Sequence, residues 1–155
     1  MTMRKTAEEN RIAREVKKIE AEKNQKPVKE IVISIEWVKS RTWGHNPNAT
    51  AEVHFQDGTF SRKEGYRASG CGYDKESTVV AAIFDDFLKY KLWERDLTDA
   101  APYGISSGNT GSYEYRYFGG GIGMSCYPRI AEFIGGKMEN VASGKTFDVW
   151  KYTDL

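Results

Sequence analysis

The hydrophobic period of the chain changes after Pro27, and this change constrains the fold more than any other feature. From Ile31 to Trp37, apolar side chains occupy every second position, as in a strand with one face toward a core. From Lys75 to Trp93 they recur at intervals of three and four, which is the spacing of an amphipathic helix. The polar face of this helix is expected to carry Asp85, Asp86 and Lys89 into water. The two patterns together predict a helix that covers one face of a sheet.

The first half of the domain predicts an antiparallel meander. A loop is expected from Lys39 to Asn48, followed by an alternating strand from Ala49 to Gln56. Asp57-Gly58 is a hairpin-turn signal, after which the chain returns as a third strand from Thr59 to Ser69.

The second half predicts a short helix and a final hairpin. The helix follows Arg129 and ends at Gly135-Gly136. The hairpin strands, Lys137–Val141 and Thr146–Tyr152, flank Ser143-Gly144. The predicted fold class is therefore α+β: a largely antiparallel sheet of five or six strands, two helices on one face, and a further N-terminal helix.

Residues 1–27 form a separate, charged unit, and residues 28–155 form the α+β domain. Thr6 and Glu9 give a capping box, which predicts a helix over Ala7–Lys23. Its apolar stripe is narrow and consists of Ile12, Val16 and Ile19. Two interpretations remain open: a solvated arm, or an assembly helix that docks on a second subunit.

Composition excludes several classes of protein. The formal net charge of +1 gives no overall attraction to nucleic acid or membranes. No apolar run approaches the roughly 20 residues of a membrane span, and the N-terminus is charged where a signal peptide needs apolar residues. We therefore expect a cytoplasmic protein. Two cysteines and two histidines at no recognised spacing predict that there is no metal site.

Catalytic groups do not converge in the sequence. His45 and His54 lie in or beside the first hairpin, and no nucleophile is placed to use them. Cys126 opens a helix, but no oriented base accompanies it, so a buried and inert cysteine is expected. We predict that the protein is not an enzyme and uses no cofactor.

The stretch Tyr113–Arg129 predicts a strand, a glycine turn and the first turn of a helix. Free N–H groups at a helix N-terminus bind phosphate, an arginine can fork onto it, and an asparagine can pair with a base edge. The predicted ligand-binding residues of this region are Gly120, Gly121, Gly123, Met124, Ser125, Arg129 and Asn109. Alternatively, the glycines serve turn geometry alone and the tyrosines form one face of a half-buried strand.

Three motifs resemble a known family. Lys39–Gly44, Ser69–Thr78 and Ile130–Gly136 are similar to segments of the Thoeris anti-defence proteins of bacteriophages, and the resemblance covers roughly Glu30 to Tyr152. These proteins sequester the cyclic ADP-ribose signal that bacterial TIR proteins make.

The resemblance implies a dimer or hexamer that binds glycocyclic ADP-ribose at subunit interfaces without degrading it. Some members of the family also hold cyclic oligonucleotides at a second site. By position, the implied ligand residues are Tyr103, Asn109 and Arg129, and Arg41 of the first motif is included with them. The N-terminal helix would serve assembly.

Two other functions remain open. The first is a protein-binding inhibitor of a bacterial defence complex, in which exposed aromatic residues and the N-terminal helix form the interface. The second is a single-stranded nucleic-acid module that uses the tyrosines as a stacking platform. The near-zero net charge disfavours the second.

Overall fold

A computed structural model describes residues 6–41, 44–68, 75–96, 99, 124 and 126–155. Its elements, in chain order, are α1 (Ala7–Lys23), β1 (Val28–Ser40), β2 (Gly44–Phe55), β3 (Phe60–Arg67), α2 (Lys75–Phe87), α3 (Lys89–Trp93), α4 (Cys126–Phe133), β4 (Gly136–Ser143) and β5 (Phe147–Asp154). The predicted α+β class is confirmed. The predicted antiparallel meander is present as β1, β2 and β3, and the predicted C-terminal hairpin is present as β4 and β5. None of these helices has the length and apolar composition needed to cross a membrane.

The five described strands form one antiparallel sheet in the order β3-β2-β1-β5-β4. The central strand β1 buries Ile31, Ile33 and Ile35 on the face that α2 covers. On the other face of the same strand, Ser34 and Glu36 are exposed. The alternation read from the sequence therefore sets which face of the sheet becomes the core.

The predicted loop over Lys39–Asn48 is wrong, because β1 and β2 continue as a hairpin to the pair Ser40 and Gly44. Pro47 is tolerated inside β2 for a geometric reason. It lies opposite Trp37, whose N–H donates to Thr146 O at 2.8 Å and thus points away from β2. This pair needs no hydrogen bond between the two strands, so the missing N–H of proline costs the ladder nothing.

The single helix predicted over Lys75–Trp93 is two helices. The backbone leaves helical geometry at Leu88, where φ is −120° and ψ is 1°. Gln25 spans the break: its Nε2 donates to the carbonyl oxygens of Asp85 and Asp86, both at 2.7 Å, and its Oε1 accepts from the N–H of Tyr90 at 3.1 Å. The side chain thus satisfies backbone groups that the break leaves unpaired.

The expectation that Lys89 faces water is also wrong, since this residue is buried. Its ammonium Nζ lies 3.2 Å from the carboxylate of Asp85, one helical turn earlier. Burial of the cation is possible because this carboxylate partners it. Asp86 is exposed, as predicted.

The N-terminal helix α1 has the predicted bounds and the predicted cap, since the Thr6 side chain accepts from the N–H of Glu9 at 3.1 Å. Its last turn docks on α3, where Trp93 Nε1 donates to Glu22 Oε2 at 3.0 Å. Ile12 and Val16, in the preceding turns, remain 48% and 47% exposed. The helix is therefore anchored at its C-terminal end and presents part of its apolar stripe to solvent.

Two buried tyrosines pack against Phe84 in the core but differ in hydrogen bonding. Tyr127 donates its hydroxyl to Ser77 O at 2.9 Å. The hydroxyl of Tyr152 has no partner among the described residues and lies against Gly136, where a Cβ atom would stand 2.4 Å from it. A side chain at position 136 would thus collide with the Tyr152 ring.

We expect the two tyrosine hydroxyls to have opposite effects on stability. Tyr152→Phe removes a buried polar group that has no partner, so the free energy of unfolding should stay equal or rise by up to about 1 kcal/mol. Tyr127→Phe removes a hydrogen bond and should lower it by about 1 kcal/mol. Urea denaturation of both variants measures the difference. Equal losses in the two would contradict the assignment.

Candidate functional site

A cleft of about 430 Å³ opens where β1 ends, β2 begins and β3 ends. We call it the strand-end cleft; its lining is Val38, Lys39, Ser40, Asn46, Pro47, Asn48, Arg67 and Ala68. The cleft results from the unequal lengths of β3 and the β1–β2 hairpin. β3 pairs with β2 no further than Arg67 opposite Asn48, whereas β1 and β2 pair as far as Ser40 opposite Gly44. The hairpin therefore projects beyond its neighbour, and the cleft lies in the step.

Two cationic side chains line the cleft, and no carboxylate of the described residues neutralises them. Within the described part of the chain, neither Lys39 nor Arg67 forms a side-chain hydrogen bond or an ion pair. Arg62, on the same strand as Arg67, instead forms ion pairs with Glu52, at 3.7 Å, and with Glu64. These two positive charges would attract an anion to the cleft.

Arg41, one of the predicted ligand residues, lies in the turn directly after β1 and is exposed. It is adjacent in sequence to Ser40 of the cleft lining but does not itself line the cleft. Its position puts a third cation beside the cleft, at the same end of the sheet.

Asparagine amides and apolar walls complete the cleft. Asn46 is half-buried, and its Oδ1 accepts a hydrogen bond from Lys75 Nζ at 2.9 Å. The same ammonium lies 3.4 Å from His45 O. Val38, Pro47 and Ala68 supply the apolar surface. Cations, amides and an apolar wall in one concave site are the usual equipment of a small-molecule site.

The first turns of α2 and α4 meet near this end of the sheet. The hydrogen bond from Tyr127 to Ser77 O joins them, and Lys75 of the same turn of α2 reaches the cleft. Arg129, on α4, is exposed and donates from Nη2 to Cys126 Sγ at 3.3 Å. Arg129 does not line the cleft, so its predicted contact with a ligand stays a prediction.

The remaining predicted residues divide into two groups. Met124 is half-buried and packs against the core. The expected burial of Cys126 is confirmed. The other predicted ligand residues lie outside the described residues: Gly120, Gly121, Gly123, Ser125, Asn109 and Tyr103.

Sequence reasoning missed the cations and amides of the cleft. The predicted loop over Lys39–Asn48 contains Lys39, Asn46 and Asn48, and the predicted third strand over Thr59–Ser69 contains Arg67, but the sequence pattern assigns none of the four to a ligand site. A signal was present: Lys39 ends one strand, Arg67 ends another, and both strands pair with the chain between them. Antiparallel pairing brings such ends to the same edge of a sheet.

A cluster of two acids and two tryptophans lies between the first turn of α2 and the sheet. Trp150 Nε1 donates to Glu76 Oε1 at 3.3 Å, and Trp37 Nε1 donates to Asp148 Oδ2 at 3.0 Å. Burial raises the pKa of Glu76, the charge of Asp148 raises this pKa further, and the Trp150 hydrogen bond opposes the shift. The described residues contain no group of three or more side chains suited to hold a metal ion.

No protein-family model, curated protein or solved structure matches the chain. The resemblance to Thoeris anti-defence proteins therefore stays a prediction. Function is inferred below from the geometry of the strand-end cleft and the chemistry of its lining.

We expect Glu76→Gln to stabilise the protein at pH 7. Because the pKa of Glu76 is raised in the folded chain, the ionised carboxylate favours unfolding above its pKa. Glutamine keeps an acceptor for Trp150 without the charge. The gain in free energy of unfolding should vanish below about pH 4, where the carboxyl is protonated in both states. Urea denaturation at both pH values tests this, and an equal gain at the two would refute the pKa shift as its cause.

Proposed function

We propose that the protein binds a cyclic ADP-ribose-type nucleotide in the strand-end cleft and holds it without degrading it. The observation that carries this proposal is the pair Lys39 and Arg67, two cations without an ion-pair partner among the described residues, in one cleft with two asparagines. In this role the protein would be a bacteriophage counter-defence protein that sequesters a signalling nucleotide in the host cytoplasm.

The chemistry of the lining supports a phosphate-bearing ligand. Arg67 offers a planar fork of N–H donors, and Lys39 offers a point charge, which together suit a diphosphate. The amide of Asn48, which has both a donor and an acceptor, suits a polar edge of a base or a ribose. The volume of about 430 Å³ lies within the range of small-molecule sites.

The same lining supports binding rather than turnover. A general base must accept a proton near neutral pH, a task for histidine, a carboxylate or an activated thiolate. Among the described residues, the cleft lining contains none of these, and its ionisable side chains are those of Lys39 and Arg67. We therefore propose that the protein is not an enzyme and needs no cofactor or metal.

The strand-end cleft is open on one side in a single subunit, so a second subunit could close that side of the ligand site. We propose that the protein is a homo-oligomer, a dimer or a hexamer, in which a second subunit adds a wall to the ligand site. The exposed Ile12 and Val16 of α1 offer an apolar contact for such an assembly.

Ligand release provides the direct test of function. Purified protein is incubated with glycocyclic ADP-ribose, the unbound fraction is quantified by mass spectrometry, and the protein is then denatured by heat. We expect depletion on mixing and recovery of the intact nucleotide on heating, together with a raised melting temperature in its presence. Recovery of a cleaved product would identify an enzyme instead and refute the proposal.

Matched arginine variants test the location of the site. Arg67→Ala is expected to weaken nucleotide binding at least about tenfold, because a charge-assisted contact with phosphate is lost. Arg62→Ala is the control, since it removes a cation from the same strand whose charge is already paired. It should bind within about twofold of the wild type. Isothermal titration calorimetry measures both, and equal affinities would place the ligand elsewhere.

A protein-binding inhibitor of a bacterial defence complex is the second candidate function. The exposure of Ile12 and Val16 on an anchored helix favours it, because exposed apolar side chains on one helix face can form a protein interface. Under this alternative, no nucleotide raises the melting temperature, and Ile12→Ser with Val16→Ser abolishes inhibition without unfolding the domain.

A further inference from the structure

We infer that Lys39, Arg67 and Asn46 form a donor-only subsite for a phosphate or diphosphate group within the strand-end cleft, and that Lys75 aims the Asn46 amide at this group. This inference rests on the proposed function and deepens it. It names Asn46 as the residue that determines which chemical group the cleft accepts, and Lys75 as a positioning residue outside the cleft lining.

The contact with Lys75 fixes the orientation of the Asn46 amide. An ammonium group carries three donors and no acceptor, so only the amide oxygen of asparagine can face it. Lys75 Nζ lies 2.9 Å from Asn46 Oδ1, and His45 O, at 3.4 Å, accepts from the same ammonium. The Nδ2 group of Asn46 therefore points away from Lys75, and it has no partner among the described residues.

The position of Lys75 in the fold supports its role in orienting the Asn46 amide. It is the first residue of α2, where the helix dipole favours negative rather than positive side chains. Two oxygen acceptors on β2 offset that penalty and hold the ammonium beside the cleft.

Three side chains then offer the cleft only donors: Lys39, Arg67 and Asn46 through its Nδ2. An unprotonated phosphate oxygen, as in the esterified diphosphate of a nucleotide, has lone pairs and no proton, so it satisfies all three. A ligand group that presents an N–H or O–H to Asn46 leaves two donors facing each other. The cleft should thus select acceptor-only anions over neutral groups of similar size.

Titration of pyrophosphate into the protein tests the inference. Calorimetry measures the affinity, and nuclear magnetic resonance spectra record the side-chain amide signals of Asn46. Wild-type protein should bind pyrophosphate with a shift of these signals. Asn46→Asp, which has the same shape but no donor, should bind at least about tenfold more weakly. Lys75→Met should weaken binding about threefold or more and broaden or move the Asn46 signals, whereas Lys75→Arg should restore both.

The outcomes separate this inference from the proposed function. If glycocyclic ADP-ribose binds and Asn46→Asp binds it as tightly as the wild type, the subsite is wrong and the function stands. If pyrophosphate binds and Asn46→Asp weakens it, but no nucleotide binds, the subsite stands and the function is wrong. If the wild type binds neither, both are overturned. Circular dichroism confirms the fold of each variant.

Discussion

Pairing of β1 on both of its edges is the constraint on which the rest of the structure depends. β2 pairs with one edge and β5 with the other, so the strand that follows the N-terminal helix becomes the centre of the sheet. Its inward residues, Ile31, Ile33 and Ile35, are fully buried beneath α2. Burial of three such side chains contributes on the order of 5–9 kcal/mol, enough to fix the register against a one-residue slip.

The same pairing produces the candidate site. The β1–β2 hairpin extends past the end of β3, because β3 pairs with β2 only as far as Arg67 opposite Asn48, whereas β1 and β2 pair as far as Ser40 opposite Gly44. A step in a sheet exposes backbone edges and side chains that a neighbouring strand would otherwise cover. Here Lys39 and Arg67 are exposed and Asn46 is half-buried, so an irregularity of the sheet brings two cations to one end.

Local signals in the sequence were sufficient where one interaction dominates. The cap formed by Thr6, the helical period of α2 and the alternation of β1 each predicted their element, since capping and burial act within a few residues. The predicted loop over Lys39–Asn48, which contains Pro47, is wrong because the effect of a proline depends on which edge of its strand the N atom faces, and only the pairing of β2 with β1 shows this. The prediction that Lys89 faces water is wrong because the carboxylate of Asp85, four residues earlier, permits burial of the ammonium.

The cleft could not be predicted from any single stretch, since its two cations come from strands that do not touch in sequence or in the sheet. What joins them is β2, which pairs with both strands and carries Asn46 and Asn48 between them. Lys75 then connects this strand to the first turn of α2, and Tyr127 connects that turn to α4. A ligand held by Asn46 would therefore be coupled to the packing of both helices, so binding and the stability of this end of the fold should rise together.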